Sequence, residues 1–263
     1  MSSILFDARR ISKRYGGLSA VDDVSFQVHA GETFGIAGPN GAGKTTLFDI
    51  VTGMTKLSSG EIHFQSKPIH TASVHEICHR GIARTFQLPS VFDSETVLAN
   101  AVVGAHNGSG PRWWTGLRRN DATLEKAERE LEFVGLAHLA AVEAGPLPVF
   151  DKKRLMIASA LAGDPVMLFL DEPFGGLTVA ECDELIDLLK GIRERGITIV
   201  LIEHVMRALM ALSDRVLIMN QGKTLFEGAP AEVLANEEVM RVYLGGITTP
   251  TGHVEPEKAH SDE

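Results

Sequence analysis

The chain of 263 residues is long enough for one or two domains with a full hydrophobic core. Its net charge of −9, from 34 acidic and 25 basic residues, argues against nucleic acid as a partner, and its two distant cysteines fit no disulfide framework, which points to a reducing cytosol. The opening MSSILFDARR has no apolar run behind a basic one, and stretches such as 197–202 are far too short to span a bilayer, so any membrane role has to come through a partner.

Residues 4–11 and 21–28 alternate as strands do, and 60–69 reads as a further hairpin piece, which together predict a small antiparallel sheet. Tyr15 precedes Gly16-Gly17 in the first turn; spacing alone favours a turn or core tyrosine over a ring that stacks on adenine. Residues 32–37 read as a strand, and 45–51 as a helix stopped at Gly53. Between them Gly38, Pro39, Asn40, Gly41, Ala42, Gly43, Lys44, Thr45 and Thr46 fit the phosphate-loop pattern of glycine, four residues, then Gly-Lys-Ser/Thr. The glycines let successive N–H groups turn toward an anion, and the helix N-terminus adds partial positive charge. Lys44 can reach the β- and γ-phosphates, and the Thr45 hydroxyl can ligate Mg²⁺. ATP is the expected ligand.

Residues 74–80 read as a short helix with His75, Cys78 and His79 on one face. With no second Cys/His pair nearby, a solvated helix face is favoured over a zinc site. Residues 104–120 are glycine-rich and carry Trp113, Trp114, Arg112, Arg118 and Arg119. An insertion whose tryptophans cap a local core is favoured over a membrane- or partner-facing surface. A helix is predicted over 122–134, with Leu124, Ala127, Leu131 and Val134 on its inner face, ending at Gly135.

Leu147, Pro148, Val149, Phe150 and Asp151 are expected to form a loop, with Asp151 capping a helix over 152–162. The apolar run 166–170 closes on Asp171-Glu172, as a buried parallel strand delivering carboxylates to the ligand-binding edge of a sheet would. Residues 178–195 are predicted helical with Val179, Cys182, Ile186 and Leu189 inward, and 197–202 a second buried strand ending in Glu203-His204. A hairpin over 215–226 and short helices at 230–235 and 237–244 follow; the polar tail 247–263 reads as disordered. Beside a phosphate loop, Asp171 is a candidate Mg²⁺ holder, Glu172 a candidate base for the attacking water, and His204 a candidate partner of the γ-phosphate or of that water.

From Ile4 to Gly246 these residues resemble the nucleotide-binding subunit of an ATP-binding cassette transporter. Gly38 to Thr46 matches Walker A, 166–172 matches Walker B with its following glutamate, Gln87 in Arg84-Thr85-Phe86-Gln87 sits at the Q-loop position, and His204 sits at the switch histidine. The resemblance places Tyr15 at the adenine-stacking position, against the spacing argument. It implies that Gln87 senses Mg²⁺ and the γ-phosphate, and that the surroundings of Gln87 touch the permease. The implied fold is α/β: a RecA-like P-loop NTPase core, an antiparallel β subdomain and an inserted helical subdomain over 88–163, all within one domain spanning 4–246. The stretches 81–87 (GIARTFQ) and 239–245 (VMRVYLG), with the long insertion before 132–136, are most similar to ATPases of branched-chain (hydrophobic) amino acid importers; related importers of amides or urea share much of the pattern.

Two departures stand out. The family's Leu-Ser-Gly-Gly-Gln signature aligns onto Leu147, Pro148, Val149, Phe150 and Asp151, with the serine and both glycines gone. Thr178 stands where the D-loop usually carries Asp or Asn. The resemblance therefore implies an ATP-hydrolysing subunit held at the cytoplasmic face of the membrane by permease subunits, served by a solute-binding protein. A second ATPase subunit is expected in a heterodimer with one weak site. A regulatory nucleotide-binding subunit is the alternative; a DNA-maintenance ATPase lacks the coiled coil, paired Cys-x-x-Cys and basic charge it would need.

Overall fold

The computed structural model describes residues 3–107 and 121–244; Trp113, Trp114 and the tail 247–263 lie outside them. In chain order the strands are β1 Ile4–Tyr15, β2 Leu18–His29, β3 Thr33–Ala37, β4 Ser59–Phe64, β5 Lys67–Pro68, β6 Ile82–Arg84, β7 Met167–Asp171, β8 Thr198–Ile202, β9 Arg215–Asn220 and β10 Lys223–Gly228. The helices are α1 Lys44–Val51, α2 Val74–His79, α3 Val97–Asn107, α4 Asp121–Phe133, α5 Val149–Ala162, α6 Val179–Glu194, α7 Met206–Leu212, α8 Pro230–Ala235 and α9 Glu237–Leu244.

The fold is α/β with two sheets. One is antiparallel in the order β2-β1-β4-β5; the other runs β10-β9-β3-β8-β7-β6, parallel from β9 to β6 with β10 antiparallel at its edge. Strands β3, β7 and β8 are buried along their whole length, which is why they read as unbroken apolar runs. The space between the sheets is filled by Phe6, Phe26, Phe34, Phe48 and Phe169, with ring centroids 5.2–5.9 Å apart in stacked and edge-on pairs. The register sets Ile36 and Asp171 each opposite Ile202, so the segments leaving β3, β7 and β8 emerge side by side.

Helices α3, α4 and α5 lie between β6 and β7 in sequence and pack on one another. Helix α3 was not delimited from the sequence, and Gly104, counted with the glycine-rich insertion, is in fact a helix contact. A Cβ there would fall 1.7 Å from the Ser159 carbonyl oxygen of α5, so only glycine lets the helices approach this closely. Three further expectations are corrected. Helix α5 begins at Val149, with Pro148 at its N-cap position, so Val149 to Asp151 are helical and Asp151 does not cap. The Asp151 carboxylate instead turns to Arg154 within the first turn. Val179 is 70% exposed rather than inward, because the buried face of α6 is made by Leu185, Ile186, Leu189 and Ile192, beyond its first turn. On α2, His79 bonds back to the His75 carbonyl, and among the described residues no three His, Cys, Asp or Glu side chains converge as a metal site would require.

Candidate functional site: a phosphate loop at the sheet edge

The loop after β3 has the shape an anion needs. A Cβ on Gly38 would sit 2.2 Å from the Met219 carbonyl oxygen, and one on Gly43 2.2 Å from that of Ala20. Gly43 is the N-cap of α1 at φ 97°, a left-handed conformation that a side chain would strain, and no side chain caps the helix. The first-turn N–H groups of α1 therefore keep their bonding capacity for a ligand. The Lys44 ammonium folds back over the loop, donating to the carbonyls of Gly38 at 2.7 Å and Pro39 at 3.1 Å. Burial lowers its pKa, opposed by the negative charges of Glu172 and Asp171. A phosphate here would supply the counter-charge. Asn40, Thr45 and Thr46 line the same opening as Gln87 and Glu172.

Asp171 ends β7 and is buried. Its carboxylate accepts from Arg84 Nη2 at 2.8 Å, while Nη1 of the same guanidinium bonds Asp49 of α1 at 2.8 Å and Oγ1 of its C-cap Thr52 at 3.1 Å. Burial pushes the Asp171 carboxyl up, and Arg84 holds it back. Sequence reasoning missed Arg84. Its signal was a charged residue inside the short apolar strand β6, where burial requires a partner. Glu172 follows at φ 46°, a strained position for a side-chain-bearing residue. Its carboxylate accepts from Gln87 Nε2 at 2.7 Å and lies 3.7 Å from His204 Nδ1. The structure thus brings Lys44, Gln87 and Glu172 to one opening, with His204 3.7 Å from Glu172 and Asp171 buried beside it on Arg84. The donors suit Mg²⁺: a Thr45 hydroxyl, an Asp171 carboxylate and a Gln87 amide are hard oxygen ligands, and Mg²⁺ commonly takes one or two carboxylates plus substrate phosphate.

The ABC transporter family model matches residues 21–175, more than half of the chain. This chain belongs to the ABC transporter ATPase family. A model described as "Branched-chain amino acid ATP-binding cassette transporter" matches residues 223–247. The high-affinity branched-chain amino acid transport ATP-binding protein LivG of Salmonella typhimurium is 37% identical over 253 residues, covering 93% of this chain and 99% of that protein. BraF of Pseudomonas aeruginosa, with the same description, is 35% identical over 93% of this chain and 99% of its own length. Among solved structures, a nucleotide-free ATP-binding cassette from an ABC transporter aligns with TM-score 0.84 at 30% identity, covering 92% of this chain and 99% of that one. The ADP conformation of such a cassette aligns equally well, with TM-score 0.84 and 30% identity over 93% and 100% of the two chains. The chain is accordingly an ATPase of this family.

Residues 147–151, expected above at the signature position, lead into helix α5. Pro148 offers no N–H and no hydroxyl, and it makes no side-chain cap bond. The Phe150 ring is buried in the core with the Arg154 guanidinium 4.5 Å above it. The Phe150 ring therefore points into the core rather than outward. Of the neighbouring cations only Arg154 offsets Asp151: Lys152 pairs with Asp93 at 2.9 Å, and Lys153 is buried on backbone carbonyls. Thr178, the D-loop departure, is the N-cap of α6 in a capping box with Glu181. Tyr15 ends β1, half-exposed, with Lys13 Nζ 4.9 Å over its ring; the facing strand begins with Leu18, Ser19 and Ala20, which border the phosphate loop.

Proposed function

We propose that this chain is the ATP-hydrolysing subunit of an importer for branched-chain or related amino acids, acting at the cytoplasmic face of the membrane through permease subunits. The observation that carries the reading is one opening lined by the phosphate loop, Gln87 and Glu172, with Gln87 bonded to Glu172 at 2.7 Å and His204 3.7 Å from it. The relatives named for branched-chain amino acid transport, matched over almost their full length, support the solute class.

In this reading free N–H groups of the loop from Gly38 to Thr46 and the Lys44 ammonium hold the triphosphate, and Tyr15 stacks on adenine. Thr45, Asp171 and Gln87 would hold Mg²⁺, which would supply positive charge against the triphosphate. Glu172 takes the proton of the attacking water, and His204 orients that water or the γ-phosphate. A groove lined by Met54, Val74, Arg84, Phe86, Val103 and Met156 adjoins Gln87, with half-exposed apolar side chains at Met54, Val74 and Phe86. An apolar groove of this kind suits a cytoplasmic helix of the permease. No helix among the described residues is long and apolar enough to cross a membrane, so the permease supplies the anchorage.

The altered segment from Leu147 to Asp151 favours pairing with a second ATPase that carries an intact signature. That partner completes the site built on Lys44, and the site facing Pro148 is the weak one. The same segment favours, as a second reading, a regulatory subunit with little hydrolysis of its own. The test is reconstitution of the chain with its co-purifying subunits and solute-binding protein in liposomes, with ATP-dependent uptake of leucine measured against lysine. Leucine uptake that Lys44→Ala abolishes is expected. Co-purification without permeases, or uptake indifferent to Lys44, overturns the proposal; ATP binding without turnover selects the regulatory reading.

A further inference from the structure

Two buried charged side chains that take no part in the roles above bond the backbone that follows the candidate base. Lys153, on α5, is nearly inaccessible and donates its ammonium to the carbonyl of Glu172 at 3.2 Å and of Pro173 at 2.8 Å. Glu203, at the end of β8, is wholly buried. Its Oε1 accepts the Phe174 N–H at 2.9 Å, and its Oε2 accepts those of His204 at 2.9 Å and Val205 at 3.0 Å. Pro173 has no N–H. The carbonyls of Glu172 and Pro173 and the amide of Phe174 are thus all bonded by one buried cation or one buried anion.

This arrangement is costly and local. Burial lowers the pKa of Lys153, and burial raises that of Glu203 against its three amide bonds. A packed apolar pair would stabilise a core at least as well. The cost is spent where the backbone is strained: Glu172 has φ 46°, and such conformations persist only where the surroundings over-determine them. The single Glu203 carboxylate also has one oxygen on each of two segments, the one that follows Glu172 and the one that begins with His204.

We infer that Lys153 and Glu203 form a buried brace that fixes the Glu172 and His204 side chains relative to each other, so that both are positioning residues for ATP hydrolysis. Lys153 ties the Glu172 end of the brace to α5, and Glu203 joins that end to His204. The inference rests on the roles proposed above for Glu172 and His204. It predicts a loss in turnover without a loss in nucleotide affinity, because the phosphate loop lies outside the brace.

The test uses the full chain with its co-purified subunits. Glu203→Gln replaces one acceptor oxygen by an NH₂ group, so one of the two segments loses its anchor. Lys153→Met releases the two carbonyls while keeping the stem packed. In each, kcat should fall roughly 10- to 100-fold, as expected for misplaced catalytic groups, while KM for ATP and the affinity for a fluorescent ATP analogue stay within about twofold. In a His204→Ala background the Glu203→Gln loss should shrink several-fold, since the geometry it protects is already gone. Full additivity with His204→Ala, parallel losses in kcat and ATP affinity, or undiminished kcat in both variants overturns the brace. If Glu203→Gln does not fold, the kcat-against-KM split of Lys153→Met decides. The controls Glu172→Gln and His204→Ala separate the failures: if neither slows hydrolysis, the proposed roles fail; if both do and the brace variants behave additively, only this inference fails.

Discussion

Two helix N-termini in this molecule have been given opposite chemistry. Helix α1 starts at Gly43, carries no acid in its first turn and places Lys44 over its own loop. Helix α5 has Pro148 as its N-cap, carries Asp151 in its first turn and closes that charge on Arg154. Both ends have the partial positive charge of a helix dipole. Only α1 leaves it to be answered from outside. At α5 the chain supplies its own anion, removes one N–H with proline and buries the Phe150 ring in the core. A helix N-terminus is thus an anion site only when the sequence around it declines to neutralise it.

The largest effect that would break this contrast is at Lys44. Lys44→Ala should abolish measurable ATP binding or turnover, read by titration with a fluorescent nucleotide; unaltered affinity would mean that α1 is not the phosphate end. Next comes Glu172→Gln, which should keep ATP binding and slow hydrolysis by about 10²- to 10⁴-fold. A normal rate there would leave the water to His204 alone. Arg84→Met tests how α1 is anchored from behind. It strips the guanidinium that joins Asp49 of α1 and its C-cap Thr52 to Asp171, leaving the buried Asp171 carboxylate unpaired, and should cost about 3 kcal/mol or more of stability in urea unfolding. A cost below about 1 kcal/mol would show that the two acids find other partners.

The smallest effect is expected at α5 itself. Asp151→Asn removes the internal anion without opening the core, as Phe150→Gly would, and should change ATPase of the assembled complex by no more than about fivefold, the range of a helix-end charge. In the same complex, loss of Glu172 should cost far more than loss of the partner's equivalent glutamate. Equal losses, or full cooperative turnover by this chain alone, would erase the asymmetry between the two helix ends.

Much of the α1 end was legible because its requirements are local. The glycine spacing, the strand before it and the apolar runs that end in Asp171 and Glu203 are all short-range patterns, and the parallel register then sets them side by side. What was not legible depends on distant partners. Arg84 is bonded to residues 35 and 87 positions away, and Lys153 to carbonyls 19 and 20 positions away. Gly104 was counted with the glycine-rich insertion because its reason for being glycine is Ser159 on another helix. The start of α5 was misplaced for a related reason: Pro and Asp read as loop and cap, while the burial of Phe150 and the Asp151–Arg154 pair carry the helix one turn further back.

The left-handed backbone at Glu172 has a consequence for how variants of this protein are found. At most positions glycine loosens the unfolded chain and costs stability, whereas at a φ of 46° it also relieves about 1 kcal/mol of strain, so the two contributions nearly cancel. A survey that scores only whether the protein accumulates in cells would therefore pass Glu172→Gly as harmless. The residue proposed as the base for hydrolysis is then one at which abundance carries almost no information about function.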